Sequence, residues 1–359
     1  MTHPLWTDLA ASLEPYVPGE QPRVPDLVKL NTNESPFGPS PGVLEAIRAE
    51  AAETLRLYPD PDATALRHAL ADYHEVDPYQ VFVGNGSDEV LGHAFAALLK
   101  HDAPLLFPDI TYSFYPVWRR LFGIDHETVP LDAAFRVDLA GYRRRAGAII
   151  LANPNAPTGV ALSRAEIASL LGEHPRVPVV IDEAYVDFGA ETAIPLIADH
   201  PNLLVVRTMS KSRALAGLRV GYAIGDANLI QALTRVKDSF NSYPLGRPAQ
   251  AGAIASLADE AYFQASLRAI IGERDRLTRL LSDLGFEVLP SAANFLFARH
   301  PDHAGADLAQ ALREQAVLVR RFNAPRIADH LRITVGLGSQ TDRLMSALTS
   351  AVRATPVPS

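Results

Sequence analysis

Apolar residues along this chain fall into short unbroken runs separated by longer stretches with helical spacing. Val81-Phe82-Val83, Leu105-Leu106-Phe107, Ala148-Ile149-Ile150-Leu151, Val179-Val180-Ile181 and Leu203-Leu204-Val205-Val206 are continuous and β-rich, the pattern of strands covered on both faces. Helical patterns lie between them, from Glu89 to Lys100, Phe114 to Leu121 and Ser163 to Leu171, the last opened by the capping box Ser163-Arg164-Ala165-Glu166. The alternation predicts crossover units, and so an α/β fold with a mainly parallel sheet, helices on both faces and an end near Tyr222.

Ahead of this region Pro15, Pro18, Pro22, Pro25, Pro36 and Pro39 surround the run Leu27-Val28-Lys29-Leu30, which reads as an extended arm with one strand. Ser40-Pro41 supplies an N-cap and a first-turn proline for a helix to about Leu55, and Asp62 is the expected cap of the next helix. After Pro248, helical stretches reach about Leu284, followed by Phe295-Leu296-Phe297, Val317-Leu318-Val319 and Leu331-Arg332-Ile333-Thr334 between helices. The expected organisation is an arm at 1–40 joining a small domain, a large domain at 41–247 and the smaller α+β domain at 248–359. A length of 359 residues suits about two domains.

The 33 Lys+Arg against 41 Asp+Glu leave a net charge of -8, which argues against nucleic acid or an acidic membrane as partner but allows a small anion to bind locally. The absence of cysteine excludes disulfides and a cysteine nucleophile. Covalent work must then fall to a lysine or a cofactor. Eleven histidines show no metal-type spacing, so no metal is expected. The stretch Met1 to Trp6 has no basic region leading into a long apolar run, and no other segment approaches membrane-spanning length. A soluble cytoplasmic protein is expected.

Candidate chemistry clusters where the strands should end, the place where open α/β sheets bind ligands. Ser210-Lys211 follows the run Leu203 to Val206, and Arg219 comes shortly after. An amine partly withdrawn from water among other cations is nucleophilic, as a Schiff-base lysine must be. Gly84-Asn85-Gly86-Ser87-Asp88-Glu89 offers backbone N–H groups and a helix N-terminus to one phosphate. Asp182, at the end of its strand, needs a cationic or N–H partner, which a pyridinium nitrogen would supply. Asn153-Pro154-Asn155-Ala156-Pro157-Thr158-Gly159 is a turn presenting amide side chains, and Tyr112 follows another strand, where its ring could stack on a planar group. Singly, each motif fits a bland role equally well: a solvated basic turn, a capped turn, a salt bridge, a tight loop, a core tyrosine.

In this order and spacing the set resembles the pyridoxal-phosphate enzymes of the aspartate-aminotransferase fold, fold type I. Tyr16-Val17-Pro18-Gly19-Glu20, Leu30-Asn31-Thr32-Asn33-Glu34, Tyr58-Pro59-Asp60, Ala292-Ala293-Asn294-Phe295 and Leu331-Arg332-Ile333-Thr334-Val335-Gly336 are similar to the histidinol-phosphate aminotransferase family, within the class-II aminotransferases. The resemblance covers nearly the whole chain. It implies that Lys211 carries pyridoxal 5'-phosphate, that Asp182 pairs with the pyridine nitrogen, that Tyr112 stacks on the ring and that Tyr185 bonds its phenolic oxygen. Gly86, Ser87 and Asp88 would offer N–H groups to the phosphate, and Ser210 and Arg219 side chains. Tyr58 would reach that phosphate from the other subunit of a homodimer with shared active sites. Arg332 would anchor the substrate's anion with Tyr16 and Arg320 nearby, and Asn33 and Asn294 would share the pocket. The family usually has asparagine where this chain has Ala156, so either Asn155 substitutes or Tyr185 holds the ring oxygen alone.

The implied reaction is transamination of L-histidinol phosphate with 2-oxoglutarate, giving imidazole-acetol phosphate and glutamate in histidine biosynthesis. An imidazole would find polar partners in Asn33 and Tyr243, which a plain aromatic ring would leave unpaired. An aromatic amino-acid aminotransferase would share every cofactor residue, and a phosphothreonine decarboxylase most of them. A non-catalytic regulator on the same scaffold would be expected to carry a DNA-binding extension, which the short arm lacks.

Overall fold

The computed structural model describes residues 5–354, so the first four residues of the N-terminal stretch considered above lie outside the described part. Its strands are β1 (Val28–Leu30), β2 (Val81–Asn85), β3 (Leu105–Pro108), β4 (His126–Val129), β5 (Ala148–Ala152), β6 (Val179–Asp182), β7 (Leu203–Thr208), β8 (Val220–Gly225), β9 (Glu287–Val288), β10 (Phe295–Arg299), β11 (Val317–Arg321) and β12 (Leu331–Thr334). The helices are α1 (Asp8–Ser12), α2 (Pro41–Glu50), α3 (Thr64–His74), α4 (Gly86–Leu98), α5 (Tyr115–Leu121), α6 (Arg164–Glu173), α7 (Ala227–Phe240), α8 (Arg247–Ala258), α9 (Glu260–Asp283), α10 (Gly305–Glu314) and α11 (Gly338–Ala354).

Seven strands form the larger sheet in the order β2-β8-β7-β6-β5-β3-β4. Every neighbouring pair is parallel except the two made by β8. The sheet is closed off in sequence near Tyr222 as expected, but this last strand inserts between β2 and β7. Because side chains alternate along a strand, each apolar run feeds two cores. Ile149, Leu151, Val179, Ile181, Leu203 and Val205 pack on one side of the sheet. Ala148, Ile150, Val180, Leu204 and Val206 pack on the other with Phe95, Trp118 and Leu233. Burial on both faces is why these runs carry no polar alternation.

The smaller sheet has the order β1-β11-β12-β10-β9, with β1 parallel to β11 and the remaining pairs antiparallel. The arm thus contributes its one strand to the C-terminal sheet. On one face Leu296, Ala298, Val317, Val319, Leu331 and Ile333 meet Leu277, Leu281, Leu308 and Leu344. Arg320, Arg332 and Thr334 alternate with these residues, so they fall on the opposite face, toward the larger sheet.

Several local expectations shift. The helix from Pro41 ends at Glu50 rather than Leu55, and a short 3₁₀ turn at Glu53–Arg56 follows it. Asp60, not Asp62, accepts the Thr64 backbone N–H at 2.8 Å and starts α3, because the chain turns through Ala63 in the left-handed region. The division expected at 247/248 cuts into α8, whose Ala253 and Leu257 lie in the core of the larger sheet.

Candidate active site

The carboxyl ends of β5, β6 and β7 open onto a cleft that the arm and the smaller sheet cover from above. Tyr16, Asn33, Ser87, Asp88, Tyr112, Asp182, Tyr185, Ser210, Lys211, Arg219, Arg320 and Arg332 all line it. These are most of the residues singled out in the sequence, gathered from both sheets and the arm.

Asp182 is the last residue of β6 and is buried. The Tyr115 hydroxyl donates to its Oδ2 at 3.0 Å and the Ala184 N–H to its Oδ1 at 3.2 Å. Burial still pushes the carboxyl up to about 6, against the lowering by those two donors. A carboxylate held this way gains from a cation placed beside it. Lys211 lies in the turn after β7, where its Nζ donates to the Thr32 carbonyl at 3.2 Å and sits 5.9 Å from the centre of the Tyr185 ring. The turn rests on buried charge: Arg207 pairs with Asp187, whose other oxygen accepts from the Ser212 hydroxyl at 2.5 Å.

At the other end, α4 begins at Gly86, so the Gly86-Ser87-Asp88 segment is the first helical turn, with N–H groups that have no partner within the helix. Arg219 reaches toward it, donating to Asp88 Oδ2 at 3.1 Å and to Ser210 Oγ at 3.5 Å. Arg219 holds a left-handed backbone at φ 54°, strain of a kind that concentrates at functional sites. Gly86 has φ 79°, and a side-chain carbon there would run into the Arg219 guanidinium. One at Gly221 would strike the Ser87 nitrogen. The cradle is therefore tight and carries N–H, hydroxyl and guanidinium donors, a set suited to a phosphate monoester. Tyr112 flanks it, and its hydroxyl donates to Asp88 Oδ1 at 3.0 Å. An anion cradle at one end and a buried carboxylate at the other fit a flat phosphorylated group with a cationic ring nitrogen.

On the smaller sheet Arg332 is half-buried. Its Nη2 donates to the Asn31 carbonyl at 2.8 Å, its Nε has no partner, and burial holds its affinity for the proton below the ordinary arginine range. Arg320 stands directly across the strand pair from it and donates to the Val17 carbonyl at 3.4 Å. Tyr16 stacks on Phe114 with ring centres 4.8 Å apart.

Three expected residues, Asn155, Asn294 and Tyr58, sit outside the lining of the cleft. Asn155 is buried in its turn, with Nδ2 donating to the Ile110 carbonyl at 3.0 Å and to Thr158 Oγ1 at 3.1 Å, so its amide ties the loop together instead of lining the cleft. Ala156 lines the cleft and packs against Ala293, Phe295 and Tyr185, but as an alanine it brings no amide there. Asn294 lies behind the wall and donates to the Asn33 carbonyl at 3.0 Å. Tyr58 is 78% exposed and stacks on Tyr243 at 4.7 Å, so in this chain neither ring lines the cleft. Asn33 does line it, but its amide is engaged by Tyr185 and Thr334 rather than left for an imidazole.

Asn31, Thr32 and Thr334 stand in motifs quoted above but had no role expected of them, and Tyr115 lay outside every motif. The signal for Tyr115 was its place three residues after Tyr112 at a helix start, since a tyrosine driven into a core needs a polar partner for its hydroxyl.

Residues 25–348 match the aminotransferase class I and II family. The chain belongs to this family. It is 65% identical over 344 residues to histidinol-phosphate aminotransferase 2 of Rhizobium meliloti (strain 1021), covering 96% of this chain and 98% of that protein. The crystal structure of histidinol-phosphate aminotransferase from Sinorhizobium meliloti in complex with pyridoxal-5'-phosphate superposes with a TM-score of 0.88 at 28% identity, covering 98% and 99% of the two chains. Aspartate aminotransferase from Thermus thermophilus with maleate gives 0.78 at 25% identity, covering 92% of each. The fold is thus the aspartate-aminotransferase fold expected from the sequence, and the two-ended cleft of this class I and II aminotransferase lies where the strand ends converge.

Proposed function

We propose that this chain transfers the amino group of L-histidinol phosphate to 2-oxoglutarate, with pyridoxal 5'-phosphate as cofactor, as part of histidine biosynthesis. The observation that carries the substrate is the opposition of Arg320 and Arg332 across β11 and β12. Like charges directly opposed on a sheet repel, and the hydrogen bonds described for these two side chains run only to backbone carbonyls. An anion received between them removes the repulsion. The phosphate ester of histidinol phosphate stands where an amino acid has its carboxylate, so one cationic site can serve both anions in alternate half-reactions.

Bound pyridoxal phosphate supplies the electron sink that lets the substrate's Cα–H bond break. The residues of this chain do the rest. Asp182, steadied by Tyr115, would hold the pyridine nitrogen protonated. The N–H groups of Gly86, Ser87 and Asp88 with Ser210 and Arg219 would hold the phosphate, while Tyr112 would pack on the ring and Tyr185 would donate to its oxygen. The Lys211 amine is the group that would hold the cofactor covalently, and as a free amine it would take the proton from the substrate's Cα as general base. Arg332 anchors the substrate's anion with Arg320 and Tyr16, and Asn294 braces Asn33 in the pocket wall.

The working unit in this reading is a cytoplasmic homodimer. Leu55, Leu57, Tyr58, Phe240 and Tyr243 are all exposed, and Tyr243 stacks on Tyr58; large apolar side chains left open to water are what an interface would cover. Tyr58 would cross that interface to the partner's phosphate cradle. Among the described residues no helix is long and apolar enough to cross a membrane.

A half-reaction panel tests the substrate. Cofactor absorbance is followed on adding histidinol phosphate, phenylalanine, tyrosine, glutamate or phosphothreonine. The largest kcat/KM is expected with histidinol phosphate. A wide margin for phenylalanine would transfer the assignment to an aromatic amino-acid aminotransferase.

A further inference from the structure

Asn33 is buried at the meeting point of the arm, the larger sheet and the smaller sheet, in a left-handed backbone with φ 56°. Its backbone N–H donates to Thr334 Oγ1 at 3.0 Å, and the Thr334 hydroxyl donates to Asn33 Oδ1, also at 3.0 Å. Thr334 Oγ1 accepts from the backbone, and Asn33 Oδ1 is the one acceptor described for the Thr334 hydroxyl proton. That contact decides which way the amide faces: Oδ1 toward β12 and Nδ2 toward Tyr185, whose hydroxyl oxygen accepts at 2.9 Å. An amide NH₂ can only donate. The phenol proton of Tyr185 therefore has no acceptor on this side and is left to point into the cleft.

We propose that Thr334 is a positioning residue that acts through the Asn33 amide to keep the Tyr185 hydroxyl proton available for donation into the cleft. The inference rests on the reading that Tyr185 donates to the cofactor's ring oxygen. It matters in this chain because Ala156 brings no amide to the cleft and the Asn155 amide is turned inward to Ile110. The titratable groups facing Tyr185 are Lys211, whose Nζ donates to the Thr32 carbonyl, Arg332, and Tyr112 and Tyr115, whose hydroxyls donate to Asp88 and Asp182. Thr334 itself is 3% exposed and stands behind Asn33, so it acts at second hand. Without its hydroxyl the amide is free to turn over and present Oδ1 to Tyr185, which draws the phenol proton away from the cleft.

The test compares Thr334→Val, Thr334→Ser and Tyr185→Phe by two readouts: the pH midpoint of the bound cofactor's absorbance, and the affinity of the apoprotein for pyridoxal phosphate. Losing a donor to an oxyanion raises the pH at which that oxyanion prevails. Tyr185→Phe and Thr334→Val should both move the midpoint upward by about one pH unit, with about tenfold weaker cofactor binding, while Thr334→Ser stays near wild type. A purely structural role for Thr334 would lower apoprotein melting and leave the midpoint in place. A midpoint unmoved in Thr334→Val but moved in Tyr185→Phe overturns this inference and leaves the reading of Tyr185 standing; one unmoved in both overturns the two together. If Thr334→Val does not fold, Asn33→Asp decides, since it keeps the shape and turns the donor into an acceptor. An unshifted midpoint there also overturns the proposal.

Discussion

The Tyr115 hydroxyl donates to Asp182 Oδ2 at 3.0 Å between two side chains that are both buried. The donor comes from the first turn of α5 and the acceptor from the end of β6, so the contact joins a helix on one face of the sheet to the ligand end of a strand. Burial pushes the Tyr115 hydroxyl well above the ordinary tyrosine range, so it stays protonated as a donor.

This pair sets a pH dependence. The Asp182 carboxyl is raised from 3.8 to about 6, so its favourable contribution is complete below pH 4 and is lost as pH rises through 6. In the apoprotein that loss amounts to about 3 kcal/mol at most. Urea midpoints measured from pH 4 to 8 should therefore fall more steeply in wild type than in Asp182→Asn, and cofactor should restore stability at neutral pH. Tyr115→Phe removes a donor to the carboxylate and should push the decline to higher pH. Identical pH profiles for wild-type and Asp182→Asn apoprotein would show that Asp182 does not ionise in this range.

Lys211→Ala should lower turnover at least about 10⁴-fold, because one group serves as both covalent anchor and proton carrier. The variant should still bind the cofactor noncovalently through the cradle at Gly86 to Asp88 and Arg219. Borohydride reduction of wild type followed by peptide mass spectrometry should place the label on Lys211. A label on another lysine would refute the assignment.

Arg332→Ala should cost about 10²-fold in kcat/KM for histidinol phosphate, the worth of a charge-assisted anion contact. Arg332→Lys should recover only part of this, because an ammonium cannot reproduce the planar guanidinium that packs over Phe295 and Phe322. Equal values for Arg332→Ala and wild type would move the anion site elsewhere.

Subunits carrying Tyr58→Phe and Lys211→Ala should complement when mixed and reassociated, because one of the two sites of the mixed dimer then keeps both intact residues. Activity well above that of either parent is the expected result. Mixtures no better than their parents would mean that each site is built within one chain.

Much of this architecture is legible locally. Unbroken apolar runs such as Ala148 to Leu151 become strands covered on both faces because alternation sends neighbouring side chains into separate cores. Lys211, Asp182 and the Gly86 turn stand out because each lies shortly after the end of such a run. The capping box Ser163/Glu166 forms as written, since its partners are three residues apart. Local patterning was weaker elsewhere: β4 is short and mostly exposed, and α7, despite an Asp226 cap, went unrecognised. The placement of β8 between β2 and β7 depends on how the strands pair, which no window of sequence contains.

Tertiary structure alone decided how the candidate residues are used. Asn155 and Asn33 carry the same side chain, yet one ties a loop and the other orients a tyrosine, according to whether Ile110 or Thr334 is brought beside it. The Asp182–Tyr115 and Asn33–Thr334 contacts span 67 and 301 positions. The chain by itself determined which groups were available: an amine, a buried carboxylate, phenols and guanidiniums near strand ends. Which of them face one cleft, and which proton each can offer there, follows from docking the arm and the smaller sheet over the larger one, because a hydrogen bond's direction depends on every partner its two groups have.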